Sequence, residues 1–72
     1  MSYQSDHLLA QLRETILQRT SYRVWDLLIE LNAQEVVLHG FANSYHMKQL
    51  AQEGVRKLLP DLRVKNSITV LS

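Results

Sequence analysis

The stretch from Leu27 to Ala42, LLIELNAQEVVLHGFA, constrains the fold more than any other part of the chain. Apolar residues alternate with other residues on both sides of a polar segment, Asn32 to Glu35. A period of two is typical of a strand with one buried face. The sequence therefore predicts a β-hairpin whose turn is formed by residues 32–35.

Alternation also predicts which side chains of the hairpin face the core. On the first strand, which begins at about Arg23, the inner residues are Trp25, Leu27, Ile29 and Leu31, and the outer ones are Val24, Asp26, Leu28 and Glu30. On the second strand the inner residues are Val36, Leu38, Gly40 and Ala42. A glycine inside a strand indicates that another group approaches its backbone. We expect a helix packed across the sheet to approach Gly40.

Two segments have the apolar spacing of amphipathic helices. The first is predicted to be capped by Ser5 and to end at about Arg19, with an apolar stripe formed by Leu8, Leu9, Leu12 and Ile16. The second is predicted to be capped by Asn43 or Ser44 and to end before Pro60, with a stripe formed by Met47, Leu50, Ala51, Gly54, Val55 and Leu58. Because a mid-helix glycine is unfavourable, we expect Gly54 to mark the closest approach of a neighbouring element.

A third strand is predicted from about Leu62 to Leu71, and its inner residues are Val64, Asn66, Ile68 and Val70. The order is therefore helix, strand, strand, helix, strand. Each helix has one apolar stripe to bury, so we predict an α+β fold in which two helices pack on one face of a three-stranded mixed sheet. Residues 1–72 form one domain with an ordered core of about residues 6–71.

The composition excludes several classes of protein. The chain has 72 residues, a net charge of +1 and no cysteine, so it has no disulfide framework, and its charge is too small to indicate a nucleic-acid binder. Charged residues at Asp6, Arg13 and Glu14 interrupt the start of the chain, which therefore lacks the apolar run of a signal peptide. We expect a cytoplasmic protein if the chain is complete, and an envelope-associated one if it is excised from a longer protein.

The residues that could carry chemistry are scattered. His7, His39 and His46 fall on three different predicted elements without the spacing of metal ligands, and no nucleophile lies on a recognisable turn. We therefore expect no metal, no cofactor, no catalytic residue and no small-molecule substrate. The chain also lacks a Gly-x-x-Gly loop, and Phe41 is the single aromatic residue predicted to face outward from its strands, so we expect no nucleic-acid partner.

Four segments, LIEL, VVLHG, NSYHMKQLAQEGV and LRVKNSITV, resemble the BON domain, a small module of bacterial osmotic-stress and cell-envelope proteins. The resemblance extends over residues 8–71, and the matching positions are Leu38, Gly40, Ala51, Val64, Asn66, Ile68 and Val70. The chain departs from the family at Asn32-Ala33-Gln34, where an Asp-Gly or Asn-Gly turn is common, and near Pro60-Asp61, where a glycine is common. Without that turn glycine, we expect a longer or bulged loop. The resemblance implies a non-enzymatic module that contacts phospholipid membranes or other proteins, without a set of binding residues that can be transferred.

The open face of the sheet is the first candidate site. Its predicted outward side chains are Leu28, Val37, His39, Phe41 and Leu71. Clustered apolar side chains on such a face indicate an interface with another protein or with a second copy in a homodimer. The alternative is that they are scattered surface residues, shielded in part by Arg and Lys stems.

A basic cluster is the second candidate. It comprises Arg56, Lys57, Arg63 and Lys65, with Arg19 and Arg23 expected nearby. Each cation near an anionic membrane contributes about 1 kcal/mol to binding. The alternative is that cations at a helix C-terminus simply complement its dipole. The sequence thus favours a protein–protein or self-association module, which could act at a membrane surface, with direct binding of anionic phospholipid as the runner-up.

Overall fold

The computed structural model describes residues 3–71 and has the predicted order of elements. These are α1 (Tyr3–Arg19), β1 (Val24–Leu31), β2 (Glu35–Ala42), α2 (Tyr45–Leu58) and β3 (Arg63–Val70). The sheet has three strands in the order β1-β2-β3; β1 and β2 are antiparallel, whereas β2 and β3 are parallel. The predicted α+β class and the mixed sheet are confirmed.

Helix α1 buries Leu12 and Ile16 completely, as the apolar spacing predicts. It begins before Ser5, so the prediction that Ser5 caps the helix is wrong. At the other end, the buried Thr20 hydroxyl donates to the carbonyl oxygen of Ile16 at 2.9 Å. The same carbonyl also accepts from the Thr20 backbone N–H at 3.1 Å, so the side-chain bond supplies the buried hydroxyl with a partner at the end of the helix.

The hairpin loop is held by one side chain. Asn32 Oδ1 accepts hydrogen bonds from the backbone N–H groups of Gln34 at 2.8 Å and Glu35 at 2.9 Å. Residues 32–34 separate the strands and none of them has a positive φ. The loop is therefore longer than a two-residue type I′ turn, as predicted, and it does not need glycine.

A β-bulge in β1 changes which residues of this strand face the core. Trp25 pairs with Phe41 and Leu28 pairs with His39, so Asp26 and Leu27 together lie opposite Gly40. Asp26 has a left-handed conformation with φ 55°. A bulge inserts one residue and reverses the alternation on its far side.

The bulge contradicts part of the predicted burial pattern. Val24 is only 5% exposed and lies in the core, whereas Trp25 is 46% exposed on the open face. The predictions for these two residues are wrong. Leu27 and Ile29, which follow the bulge, are buried as predicted.

Gly40 packs against the bulge. Its φ is 146°, and a Cβ atom added to it would lie 2.8 Å from the carbonyl oxygen of Trp25 and 3.3 Å from Leu27 Cα. A close approach is thus confirmed, but the approaching group is the neighbouring strand. The prediction that a helix approaches Gly40 is wrong.

Helix α2 begins at the predicted cap. Ser44 Oγ accepts a hydrogen bond from the Met47 N–H at 3.3 Å. A Cβ on Gly54 would lie 3.5 Å from Thr15 Cγ2 and 3.8 Å from Ile16 Cα, so α1 is the neighbour that comes closest there. The prediction for Gly54 is confirmed.

The core joins both helices to the inner face of the sheet. Its buried residues are Leu12, Ile16, Val24, Leu27, Ile29, Val36, Leu38, Ala42, Ala51, Val55 and Ile68. Neither of the helices in residues 3–71 is long and apolar enough to cross a membrane. The outer face of the sheet, opposite this core, carries the first candidate site.

Candidate functional site

The open face is built from rows of residues that pair across the three strands. Residues that pair across neighbouring strands project to the same side of a sheet. The rows are Trp25–Phe41–Thr69, Leu28–His39–Ser67 and Glu30–Val37–Lys65. The first row is the most apolar and the third carries opposite charges on its outer strands.

Three side chains form what we call the apolar end of the open face. Trp25, Leu28 and Phe41 are 46%, 52% and 39% exposed, respectively. With large side chains of about 150–250 Å² each, this corresponds to roughly 300 Å² of accessible apolar surface. Leu71 is also exposed and lies beside this end, since its N–H donates to the Ala42 carbonyl oxygen at 2.8 Å.

Trp25 belongs to the site although sequence reasoning placed it in the core. Simple alternation counts Trp25 together with Leu27, and only the bulge at Asp26 separates them. One signal was available in the sequence. Aspartate is one of the few residue types other than glycine that adopt the left-handed conformation, and it interrupts this apolar strand opposite a glycine.

The other end of the open face is polar and largely closed. Val37 occupies an outward position but is only 9% exposed, between Glu30 and Lys65 of its row. His39 Nε2 lies 3.6 Å from Glu30 Oε2 and is itself covered, without a hydrogen bond. Of the predicted interface residues, Leu28, Phe41 and Leu71 are thus accessible, His39 is partly so, and Val37 is nearly covered.

Two members of the basic cluster come together. Arg56 and Arg63 line one open cleft of about 380 Å³ with Pro60, Leu62 and Val64. Lys57 is exposed in the last turn of α2, next to Arg56. Arg63 also pairs in register with Glu35, and a carboxylate beside this cation reduces the positive potential of the cleft.

The structure separates the remaining three cations from that cleft. Arg19 forms an ion pair with Glu53 at 3.3 Å, and Lys65 projects from the open face. Arg23 precedes β1 at the far end of the sheet, since Val24 pairs with Ala42 whereas Arg63 pairs with Glu35. Eight-residue strands put these two ends about 25 Å apart. The six predicted cations therefore do not form one surface.

A further polar cluster lies where α1 turns into β1. Ser21 and Tyr22 both have left-handed backbones, with φ of 54° and 58°. The Tyr22 hydroxyl donates to Glu14 Oε2 at 2.6 Å, and Gln18 Nε2 donates to the same oxygen at 3.0 Å. The hydrogen bond to the Glu14 carboxylate raises the pKa of Tyr22 above its ordinary value of 10.0. These hydrogen bonds connect the turn to helix α1 at the protein surface.

Within the described residues, no group of three His, Cys, Asp or Glu side chains is placed to hold a metal ion. His7 and His46 are exposed on separate helices, and His39 lies on the sheet.

Comparison of the chain with protein-family models, with curated proteins and with solved structures finds no match. What the structure adds to the sequence is the α-β-β-α-β order and the placement of the residues described above.

Proposed function

We propose that the chain is a non-enzymatic binding module of BON type that acts through protein–protein contact on the open face of its sheet. One observation carries this proposal. The apolar end of that face, Trp25, Leu28 and Phe41, is exposed to solvent, whereas the opposite face of the same sheet packs against the core and the helices. Exposed apolar surface grouped on one side of a small domain is typical of an interaction site.

The BON assignment is supported by the roles of the residues that resemble the family. Gly40 lies opposite the bulge, and Ala51 is fully buried in α2. Asn66 Nδ2 donates to the Lys48 carbonyl oxygen at 2.8 Å and so connects β3 to α2. A glycine, a small residue and an amide are thus each required at their positions by local packing.

The size of the apolar end indicates a modest affinity. Roughly 300 Å² of apolar surface at about 25 cal/mol per Å² corresponds to about 7 kcal/mol, against an association cost of about 4–15 kcal/mol. Tryptophan and phenylalanine are suitable central anchors for a contact. A stable complex must extend to the polar end as well, where Glu30 and Lys65 offer charges of both signs.

The test uses Phe41→Asp and Leu28→Asp. Either change places a charge in the proposed contact, so association through the open face should fall at least tenfold, measured by pulldown of a partner and by the concentration dependence of Trp25 emission. Val37→Asp is unsuitable because Val37 is nearly buried. Tyr45→Asp is the matched control, since Tyr45 is 63% exposed on α2. Association that still covers Trp25 in both open-face variants rejects the proposal.

Binding of anionic phospholipid is the second candidate, favoured by the cleft that Arg56 and Arg63 share. Cosedimentation with anionic vesicles should then weaken as ionic strength rises, because salt screens surface charges. Arg56→Gln combined with Arg63→Gln should abolish the binding. Arg23→Gln, which lies at the far end of the sheet, should leave it intact. No binding at low salt would reject this candidate.

A further inference from the structure

Strand β3 is an edge strand with a regular, uninterrupted backbone. Its parallel register with β2 runs without a shift from Glu35–Arg63 to Ala42–Val70. The N–H groups of Arg63 and Leu71 donate toward the β2 side, to Gln34 O at 3.2 Å and Ala42 O at 2.8 Å. The backbone N–H and C=O groups of successive residues point to opposite sides of a strand. Every second residue, starting from Arg63, therefore bonds to β2, and the residues between them direct their N–H and C=O groups to the outer edge: Val64, Asn66, Ile68 and Val70.

The two edges of the sheet differ in how they are protected. The bulge at Asp26 and Leu27 interrupts β1, and bulges are a common protection against strand addition. Strand β3 has no proline, glycine or bulge along residues 63–70. Its protection consists of the cations Arg63 and Lys65 and of Asn66 Oδ1, which accepts from the Ile68 N–H at 3.2 Å.

We propose that β3 pairs antiparallel with β3 of a second copy, giving a two-fold symmetric dimer with a continuous sheet of both chains. In antiparallel pairing, two opposite residues exchange both backbone hydrogen bonds only if the N–H and C=O groups of each point toward the other strand. The residues whose backbone groups point to the outer edge must therefore pair with each other. A register centred on Ser67 places Val64 opposite the partner's Val70 and Asn66 opposite the partner's Ile68. All the outward residues of both strands are then used.

The side chains of β3 favour antiparallel over parallel pairing of two copies. Val70 and Leu71 are 38% and 48% exposed at one end of the strand, and the two cations Arg63 and Lys65 lie at the other. The antiparallel register places Val70 against the partner's Val64, and Leu71 against the stem of the partner's Arg63. Lys65 faces the partner's Thr69, so no like charges meet. Parallel, in-register pairing of the two β3 strands would instead place Arg63 beside Arg63 and Lys65 beside Lys65, and these like charges would repel each other.

This surface is separate from the open face and lies beyond the proposed function. The edge contact uses backbone groups of β3, whereas the apolar end of the open face is formed by side chains of β1 and β2. The Ile68 N–H must leave Asn66 Oδ1, but it then donates to the partner's Asn66 carbonyl. The dimer therefore replaces the hydrogen bond between Ile68 N–H and Asn66 Oδ1. It also gains the backbone hydrogen bonds of the other edge-directed residues.

The test is a set of charge changes at two exposed positions, Thr69 and Ser67. Sedimentation equilibrium at low ionic strength gives the dimer Kd of each variant. Thr69→Glu faces the partner's Lys65 and should tighten the dimer roughly two- to tenfold, whereas Thr69→Lys should weaken it by a similar factor. Ser67 faces itself across the two-fold axis, so Ser67→Glu and Ser67→Lys should both weaken it. Circular dichroism verifies that each variant is folded.

Amide hydrogen exchange provides an independent readout. On raising the concentration, the N–H groups of Val64, Ile68 and Val70 should become protected, while those of Lys65 and Thr69, which face β2, should change little. Phe41→Asp should leave this protection intact, which separates the edge contact from the open-face contact. A wild-type chain that stays monomeric at about 1 mM overturns the proposal. Weakening by both Thr69→Glu and Thr69→Lys also overturns it.

Discussion

Gly40 is the residue whose backbone the hairpin depends on most directly. Its φ of 146° is a conformation that side chains with a Cβ rarely adopt, and the Trp25 carbonyl oxygen occupies the space a Cβ would need. Gly40→Ala should therefore lower the free energy of unfolding by about 2–3 kcal/mol, through backbone strain and displacement of the bulge. Urea denaturation followed by circular dichroism measures this loss.

Gly54 provides the matched control for that substitution. A Cβ there would meet Arg19 Cδ at 3.1 Å, the stem of a flexible side chain, and no left-handed backbone is involved. Alanine gains about 1 kcal/mol of helix propensity, which offsets the displacement of Arg19. The free energy of unfolding of Gly54→Ala should thus lie within about 1 kcal/mol of the wild-type value. Equal losses at both glycines would contradict the strain argument at Gly40.

The raised pKa of Tyr22 predicts that the stability of the fold varies with pH in the alkaline range. Its pKa is raised by the hydrogen bond to the Glu14 carboxylate, so the folded chain holds the phenol proton more tightly than the unfolded chain. The stability that this bond contributes is complete below pH 10.0 and is lost as pH rises through the raised pKa.

Absorbance titration of the phenolate in the wild type and in Glu14→Gln checks this prediction. Removing the carboxylate charge should lower the pKa of Tyr22 toward its ordinary value. Tyr22→Phe identifies which part of the titration belongs to this residue, since the chain contains other tyrosines. An unchanged titration in Glu14→Gln would show that the hydrogen bond is not formed in solution.

At the scale of the elements, Asn66 determines how β3 is joined to α2. Its amide donates to Lys48 O at 2.8 Å and to Gln52 Oε1 at 3.3 Å, and its Oδ1 accepts from Ile68 N–H. Asn66→Ala should cost about 1–2 kcal/mol of unfolding free energy, because half-buried polar groups lose their partners. Ser67→Ala, on the exposed side of the same strand, should cost little. A cost at Ser67 equal to that at Asn66 would contradict this role.

The elements themselves were predictable because their signals are local. Apolar spacing located both helices and the strands, and Ser44 and Pro60 bracket α2 as their backbone properties require. The bulge was not predictable by counting along β1. It is defined by the pairing of two strands, and a single inserted residue moves Trp25 from the inner face to the outer one.

The same limit applies to the candidate surfaces. Leu28 and Phe41 follow the alternation and are exposed as predicted, whereas the covering of Val37 depends on neighbours in other strands. The position of Arg23 relative to Arg63 depends on strand order, which no local pattern gives. Residues brought together by long-range pairing are therefore the ones that sequence reasoning misplaced.

For the whole molecule, the two proposed contacts are compatible with one another. Pairing through β3 leaves the open faces of both chains on the same side of the joined sheet. Since the pairing is antiparallel, the two apolar ends lie far apart, near opposite ends of that sheet. A dimer of this kind would present two equivalent binding sites, and a partner with two matching sites would bind it more tightly than either site alone.

Trp25 reports which of these contacts forms. It is the one tryptophan of the chain and is 46% exposed at the apolar end, while β2 separates its strand from β3. Contact through the open face should bury the indole, shift its emission to shorter wavelength and reduce quenching by acrylamide. Pairing through β3 should leave both properties unchanged. Emission spectra over a range of concentrations, in the wild type and in Phe41→Asp, measure this. A shift that persists in Phe41→Asp would contradict the open-face contact, because the aspartate lies directly beside Trp25 in the pairing of β1 with β2.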